Sequence, residues 1–327
     1  MNILVTGGTG FIGGYFVPML INEGHNVRLL VRNIEKARKQ FGDKCQYHIG
    51  DVTDRDSLKG CCDGIDVVFH LVAKSGNDLP TKENFKIYRR INVEGTKNLL
   101  DECKTIKKFV YISSTAAMGL VKDNPITEKS TCKPELPYQV TKYEVEKLIK
   151  KKCKEGFPGI VVRPTKVYGI NENEYNYLTL AKLVKKGMYI KIGGGHNYTS
   201  NVYVSDFSDA LVKFVENGVI GETYIITSEE SIDFIRVGKI IADELGVKLR
   251  VIRVPAWIMV PAASVEEKLF TLMRKKPVVT KRNIQMTIQD RIYDISKAKK
   301  DIGFCPKVSM ENGIRTVIRW YKDKGVI

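Results

Sequence analysis

Short apolar runs alternate with longer amphipathic stretches through the first half of the chain. Runs such as Val67–Phe69 and Phe109–Ile112 show no polar alternation, which is typical of strands in a parallel sheet covered on both faces. The stretches between them have the length that a right-handed crossover helix needs. The pattern predicts strands at Ile3–Thr6, Val27–Val31, Gln46–Ile49, Asp66–Val72, Lys108–Ser113 and Ile160–Arg163.

The regular alternation of apolar runs and amphipathic stretches ends after Pro164. Inserted helices and short strands are predicted in 171–192 and 228–290, whereas Asn201–Val204 and Thr223–Ile226 have the apolar character of returns to the sheet. Together the two halves predict an α/β fold. Its main part is a doubly wound, Rossmann-type parallel sheet of about seven strands, and a smaller C-terminal domain follows.

The composition favours a globular protein of a reducing compartment. The chain has 327 residues and 43% hydrophobic content, and its first predicted strand begins at residue 2, so a signal peptide is not expected. Seven cysteines without a Cys-x-x-Cys pair favour reduced thiols and a cytoplasmic location. The four histidines lack metal-ligand spacing, so no metal site is expected. The longest apolar stretch, Val254–Val265, is short and carries two prolines, so no integral membrane segment is expected.

The net charge of +16 comes from lysines spread in many short groups. Several groups mark the C-terminal ends of predicted helices, where the backbone dipole favours cations, and none is interleaved with aromatic residues in a nucleic-acid motif. We therefore expect no nucleic-acid partner. The excess positive charge would help to attract an anionic small molecule.

A glycine-spaced turn follows the first predicted strand. Gly7, Gly10 and Gly13 separate the strand Ile3–Thr6 from an apolar helix. In a strand–turn–helix context this spacing lets backbone N–H groups surround a pyrophosphate at the helix N-terminus. The turn therefore predicts a dinucleotide site.

A second group of residues has side chains suited to acid–base chemistry. Tyr138 and Lys142 stand four residues apart near the start of a predicted helix, which places the phenol and the ammonium on one face. A nearby cation favours the phenolate and lowers a tyrosine pKa. Ser114 follows the strand Lys108–Ser113 at the sheet edge where α/β proteins bind ligands, so its hydroxyl could hydrogen-bond a substrate oxygen.

Taken together, these motifs resemble the extended short-chain dehydrogenases/reductases of the epimerase/dehydratase superfamily, including dihydroflavonol-reductase-like and hydroxysteroid-dehydrogenase-like members. The resemblance covers nearly the whole chain through Thr6–Gly13, Gly50–Asp54, His70–Ala73, Asn92–Thr96, Ser113–Gly119, Tyr138–Lys142, Arg163–Gly169 and Val202–Asp206. It implies a Ser-Tyr-Lys mechanism. The family's catalytic residues fall on Ser114, Tyr138 and Lys142, and the asparagine of its proton relay falls on Asn92.

The resemblance also implies the cofactor contacts. The pyrophosphate would lie against the turn formed by Gly7, Thr9, Gly10, Phe11, Ile12 and Gly13. Asp51 and Val52 would flank the adenine, although Asp51 could equally be a turn or helix-capping residue. The remaining contacts would come from Leu71, Val72, Ala73, Tyr138, Lys142, Pro164, Thr165 and Val167.

The end of the second strand bears on the choice of cofactor. NAD-preferring relatives end this strand in an acidic residue, but here Val31 holds that place and Arg32 follows. A guanidinium suits a ribose 2′-phosphate, so the sequence favours NADP(H), with NAD(H) still possible and Lys36 or Lys39 as helpers.

The two residues after Ser114 narrow the choice of reaction. Family dehydratases carry an Asp-Glu pair where this chain has Thr115 and Ala116, so a 4,6-dehydratase is not expected. The favoured interpretation is hydride transfer between a nicotinamide and a ketone or secondary alcohol. The alternative is a sugar-nucleotide 4-epimerase that uses tightly bound NAD. A redox-sensing regulator without turnover is disfavoured by the intact Ser114, Tyr138 and Lys142.

The substrate is a small molecule that the sequence does not identify. Sugar-nucleotide enzymes often carry an arginine in the loop Gly193–Asn201, whereas this loop has none. The segment Val254–Met273 could be an apolar lid or a packing face of the second domain. Candidate substrate residues are Lys74, Thr115, Lys166, His196, Tyr198 and Asn201.

Two further levels of organisation are expected, the domain division from the alternation of strands and helices through Arg163 and the homodimer from the resemblance. A dinucleotide-binding domain would cover 1–170, with returns near 195–227 and 288–296. A substrate-binding domain would cover 171–194, 228–287 and 297–327. A homodimer would form where the helix at about 84–104 and the Tyr138 helix pair with their copies in a partner chain.

Overall fold

Seven parallel strands form the centre of the molecule, a computed structural model that describes residues 1–76, 78–172, 177–272 and 281–327. These strands are β1 (Asn2–Thr6), β2 (Asn26–Val31), β3 (Gln46–Ile49), β4 (Val67–His70), β5 (Lys108–Ile112), β6 (Gly159–Pro164) and β10 (Thr223–Ile226). Their order across the sheet is β10-β6-β5-β4-β1-β2-β3, and every pairing is parallel. The doubly wound sheet is therefore as predicted.

Two small parallel sheets lie outside the central one, and α-helices lie between most consecutive strands. The small sheets pair β7 (Lys166–Tyr168) with β9 (Asn201–Tyr203) and β8 (Tyr189–Ile192) with β11 (Val251–Val254). The helices are α1 (Phe11–Asn22), α2 (Ile34–Phe41), α3 (Lys82–Tyr88), α4 (Gly95–Glu102), α5 (Pro137–Lys154), α6 (Leu178–Lys185), α7 (Val204–Lys213), α8 (Phe234–Leu245), α9 (Ala256–Leu272), α10 (Lys281–Ile288), α11 (Ser296–Ile302) and α12 (Met310–Asp323).

The apolar strands are buried because helices cover both faces of the sheet. All residues of β4, β5 and β6 are buried, as the absence of polar alternation predicts. One apolar cluster packs α1 and α7 on one face, and a second packs α4 and α5 on the other. The carboxyl ends of β1, β4, β5 and β6 consequently meet along one edge of the sheet.

A third apolar cluster lies away from the sheet. It joins α6, α8 and α12 around buried side chains such as Tyr189, Ile241 and Val317. These helices belong to the segments predicted to form the second domain, and the domain boundaries themselves stay a prediction. Parts of those segments, 173–176 and 273–280, lie outside the described residues, and Met273 lies among them.

The structure corrects one predicted return to the sheet. Thr223–Ile226 joins the central sheet as its edge strand, but Asn201–Tyr203 pairs with β7 outside it, and Val204 already begins α7. The apolar positions Phe207, Ala210 and Leu211 explain this, because they pack α7 onto α1 and so end the strand early.

Within the described ranges, the structure contains no helix with the length and apolar character needed to cross a bilayer.

Candidate active site

The glycine turn brings the chain close to the end of β4. Gly7 has φ of +75°, and a Cβ there would lie 3.1 Å from the Val72 nitrogen. A Cβ on Gly13 would lie 2.3 Å from the Gly8 carbonyl oxygen, so α1 packs directly on the turn. Gly10 begins α1 without a side-chain cap, and the first N–H groups of the helix are left for a ligand.

A groove of about 390 Å³ opens beside this turn. The predicted residues Thr9, Gly10 and Phe11 line it. The other lining residues are Gly14 and Tyr15 of α1, Lys36 and Gln40 of α2, and Asn171. Lys36 is therefore placed beside the turn, whereas Lys39 is not among the residues that line the groove.

Arg32 and Asp51 face each other across the ends of β2 and β3. The Arg32 Nη1 lies 3.6 Å from Asp51 Oδ2, and the Arg32 side chain is 80% exposed. The other Asp51 oxygen accepts hydrogen bonds from the Thr53 nitrogen (2.8 Å) and hydroxyl (2.9 Å), so Asp51 holds a turn. Partial burial raises the pKa of Asp51, but these hydrogen bonds and Arg32 outweigh it, and the net shift is downward.

The predicted catalytic side chains gather at the end of β5. Ser114 follows β5 and begins a 3₁₀ turn (Thr115–Met118) that packs against α5. Tyr138 and Lys142 lie one helical turn apart on α5, and the Lys142 Nζ is 5.9 Å from the centre of the Tyr138 ring. The Ser114 hydroxyl oxygen accepts the Ala116 N–H at 3.1 Å, which orients it at the start of the turn.

Lys142 is a buried cation, with 2% of its surface exposed. Its ammonium donates to the Ile112 carbonyl at 2.6 Å and lies 4.7 Å from the centre of the Tyr111 ring. Burial lowers the pKa of Lys142 to about 7, although Glu146 acts in the opposite direction. The Tyr111 hydroxyl is buried beside it and has no hydrogen-bond partner among the residues that the structure describes.

Asn92 connects three elements around the site. It lies in a π-helical turn (Arg89–Glu94) between α3 and α4 and is 1% exposed. Its Oδ1 accepts the Lys74 N–H (2.7 Å), and its Nδ2 donates to the Lys74 carbonyl (3.1 Å) and to the Thr141 hydroxyl (3.0 Å). Asn92 thus fixes the loop after β4 against α5 beside Lys142.

A buried histidine supports this arrangement from β4. The Thr96 hydroxyl donates to the Asn92 carbonyl at 2.6 Å, so it must accept from His70 Nε2 at 2.9 Å. His70 Nδ1 then accepts from the Thr6 hydroxyl at 2.7 Å. Burial and the nearby Lys142 lower the pKa of His70 to about 3, so the imidazole stays neutral and in one tautomer.

An ion pair behind the site was not predicted. Arg163 of β6 binds Glu146 of α5 through two hydrogen bonds of 2.9 and 2.6 Å, and both side chains are buried. The Ser113 hydroxyl also donates to Glu146 at 2.5 Å. The sequence feature that could have drawn attention to Glu146 is its position four residues after Lys142, which places its carboxylate one helical turn away on α5.

A second cavity, of about 210 Å³, lies between the central sheet and the second group of helices. Of the predicted residues, Thr115, Thr165, Lys166, Tyr198 and Asn201 line it. Asn197, Thr199 and Ser200 also line it and belong to the loop Gly193–Asn201, to which the sequence had pointed. The sequence did not single out the other lining residues, Tyr177, Leu180, Phe234, Val237, Thr287, Gln289, Arg291 and Tyr293.

Two predicted substrate residues are not among those that line this cavity. Lys74 pairs with Asp78 at 3.8 Å, and its ammonium lies 5.0 Å from the centre of the Tyr88 ring. His196 stacks on Tyr198 with the ring centres 5.1 Å apart, which places it behind a lining residue. Their proposed substrate contacts stay predictions.

Among the lining residues that the sequence did not single out, Arg291 is the only one with a positive charge. Its backbone N–H donates to the Tyr198 carbonyl at 2.9 Å, which joins it to the loop Gly193–Asn201. Its Nε is buried and has no hydrogen-bond partner in the described part of the chain. An arginine that the loop lacks in sequence is therefore supplied by a segment about 90 residues later.

Comparison with known proteins agrees with this geometry. Residues 3–227 match the NAD dependent epimerase/dehydratase family. A farnesyl-dihydroquinoline-oxide ketoreductase of Stigmatella aurantiaca is 25% identical, with 96% of this chain and 95% of that protein covered. The sterol-4-alpha-carboxylate 3-dehydrogenase of Saccharomyces cerevisiae is 26% identical, with 99% of each covered. The crystal structure of a Bacillus cereus UDP-glucuronic acid 4-epimerase in complex with NAD has a TM-score of 0.76 at 24% identity, with 99% of each chain covered.

The chain therefore belongs to the NAD dependent epimerase/dehydratase family. It is an enzyme of the extended short-chain dehydrogenase/reductase type, an NAD(P)-dependent oxidoreductase.

The buried Lys142 predicts a pH dependence of stability. Its lowered pKa means that the folded state binds fewer protons than the unfolded state between about pH 7 and the ordinary lysine range. Wild-type stability should rise with pH in that window relative to Lys142→Met, by at most about 1.4 kcal/mol per pH unit. Urea unfolding of both proteins from pH 6 to pH 10 checks this. A difference in stability that stays constant across the window would contradict it.

Proposed function

We propose that the chain interconverts a ketone and a secondary alcohol by one hydride transfer, with Tyr138 as the acid–base residue. The supporting observation is the arrangement at the end of β5. Ser114 begins the turn that packs against α5, and α5 carries Tyr138 next to the buried Lys142, whose ammonium binds the Ile112 carbonyl. This arrangement adjoins the cavity through Thr115, which lines it. A carbonyl oxygen bound there would lie between a hydroxyl donor and a phenol.

The residues present fit a nicotinamide dinucleotide. The turn needs glycine at positions 7 and 13, and the uncapped start of α1 offers N–H groups to a pyrophosphate. Lys36 lines the same groove and would add positive charge. Pro164 is the last residue of β6, Thr165 follows it, and Val167 lies in β7. Leu71–Ala73 follow the end of β4. These residues would hold the nicotinamide and the adenosine parts. When bound, the nicotinamide supplies or accepts the hydride.

The chain's own groups handle the proton. Ser114 would orient the substrate oxygen by hydrogen bonding while the Tyr138 phenol gives or takes its proton. The Lys142 ammonium would stabilise the phenolate by charge and hold the nicotinamide ribose. Asn92 would keep α5 and the loop after β4 in register, because it binds both Thr141 and Lys74.

Replacing Tyr138 by phenylalanine tests the proposal. Tyr138→Phe removes the proton carrier but not the binding surface, so turnover should fall on the order of 10²- to 10⁴-fold while cofactor affinity stays near that of the wild type. Steady-state rates with ketone substrates and NADPH or NADH fluorescence titration measure the two effects. Tyr143→Phe is the matched control, since Tyr143 lies on the same helix and faces Lys147. Unchanged turnover in Tyr138→Phe would refute the assignment.

We also propose a preference for NADP(H). Its support is that β2 ends in Val31 instead of an acid, that Arg32 is largely exposed, and that Lys36 lines the groove beside the glycine turn. One carboxylate oxygen of Asp51 binds Thr53, and the other faces the Arg32 guanidinium. The negative charge of Asp51 is therefore partly neutralised and would repel a 2′-phosphate less strongly.

The cofactor preference predicts the effect of Arg32→Ala. NADPH should bind about tenfold more weakly, which corresponds to the loss of one charge-assisted hydrogen bond at an exposed site, and NADH binding should change little. Titration of both cofactors measures this. Lys39→Ala removes a charge from the same region outside the groove and is the control. Tighter binding of NADH than NADPH by the wild type would show the preference to be wrong.

A 4-epimerase is the second candidate, and Arg291 is the observation that favours it. A buried guanidinium nitrogen that has no partner among the described residues of the cavity wall suits an anionic substrate such as a sugar nucleotide. An epimerase would return the nicotinamide to its starting state in each turnover. Net change in nicotinamide absorbance with a ketone substrate supports the oxidoreductase, whereas epimerised product without such change supports the alternative.

We propose a cytoplasmic homodimer. The seven cysteines are all free thiols, which suits a reducing compartment. The α3–α4 helix and α5 lie side by side, joined by the Arg89–Glu144 ion pair, and leave Ile87 40% exposed.

Light scattering should therefore give the mass of two chains for the wild type. Ile87→Lys should give the mass of one chain, because it places a charge in the proposed contact. Ile49→Lys, at an exposed residue of β3, is the control. A single-chain mass for the wild type would contradict the dimer.

A further inference from the structure

Helix α9 exposes an apolar stripe. Trp257 is 76% exposed, Ile258 44% and Val265 57%, and Pro261 and Ala262 are exposed as well. These five residues follow helical spacing, so they share one side of α9. Every exposed residue from Ala256 to Glu266 is apolar, which is the reverse of an ordinary surface helix.

The neighbouring small sheet continues this surface. Ile190 of β8 pairs with Ile252 of β11, and they are 39% and 47% exposed. Ile192 and Val254 follow two residues later on the same face and are half-buried. Because β11 leads into α9 through Pro255, the sheet face and the stripe form one apolar patch.

Basic residues adjoin the patch along the chain. Lys186 precedes β8, and Lys248 and Arg250 precede β11. All three are exposed, and none forms an ion pair with any acidic side chain that the structure describes. The patch thus combines apolar side chains with a rim of positive charge.

We propose that this patch docks the enzyme on the surface of an anionic lipid bilayer. A tryptophan with flanking aliphatic residues suits the interface between headgroups and acyl chains, and basic residues at the rim suit anionic headgroups. A second copy of the chain fits less well, since it would bring another rim of positive charge against this one in a protein of net charge +16.

Docking in this orientation would place the cavity near the membrane. Ala256 at the start of α9 lies by Gly193, which also lies by Ile288 of α10. Thr287 and Gln289, on either side of Ile288, line the cavity. The docking position does not depend on which reaction the residues of the cavity catalyse.

Vesicle co-sedimentation tests the proposal with the full chain. The wild type should sediment with vesicles of phosphatidylcholine and phosphatidylglycerol and much less with phosphatidylcholine alone. Trp257→Ser/Ile258→Ser should abolish sedimentation. Lys248→Gln and Arg250→Gln should each weaken it about fivefold, the effect of one basic residue at an anionic surface.

Matched variants separate the patch from general effects. Val219→Ser/Ile220→Ser removes two exposed apolar side chains from the loop before β10, and Lys104→Gln removes an exposed charge after α4. Both should sediment like the wild type. In a Trp320→Phe background, Trp257 is the only tryptophan, and its emission should shift to the blue on vesicle addition.

Four results would overturn the proposal, three of them from the vesicle experiments. These three are no sedimentation of the wild type with either vesicle, equal loss in the control variants, or unshifted Trp257 emission. A solution mass that falls from two chains to one in Trp257→Ser/Ile258→Ser would also overturn it, because the stripe would then be an interface between copies.

Discussion

The site depends on keeping one ammonium group inside the protein. Burying the charge of Lys142 is unfavourable, and the structure offsets the cost with the Ile112 carbonyl and with Glu146 one helical turn away. Glu146 is in turn held by Arg163 and Ser113. The same few contacts therefore join β5, α5 and β6, the three elements whose positions define where Tyr138 lies.

The parallel sheet brings the candidate functional residues together at one edge. Since all seven strands run in one direction, the loops after β1, β4, β5 and β6 meet at one edge, although they are distant in sequence. The opposite ends of the strands carry turns without any of the predicted site residues. The residues proposed for cofactor binding and proton transfer thus lie along one edge of the sheet, while part of the cavity wall comes from the second group of helices.

Local patterns explain what could be predicted from sequence. Uninterrupted apolar runs identify buried parallel strands, and the Gly7–Gly13 turn and the Tyr138–Lys142 pair lie within single elements. Arg291 could not be found in this way, because its place beside Tyr198 results from a long return of the chain. The short apolar run at Asn201 predicts a strand but does not reveal which strand it pairs with. In the structure it pairs with β7, because α7 begins at Val204 and packs against α1.

The π-helical turn at Arg89–Glu94 has a consequence for how this region can change in evolution. A π turn holds one more residue than the α-helical path between the same ends. Deleting a single residue there would restore a regular helix and change the direction in which Asn92 points, away from Lys74 and Thr141. Insertions and deletions in this helix should therefore be rejected even where every individual side chain can be exchanged, so the length of the segment is itself part of the site.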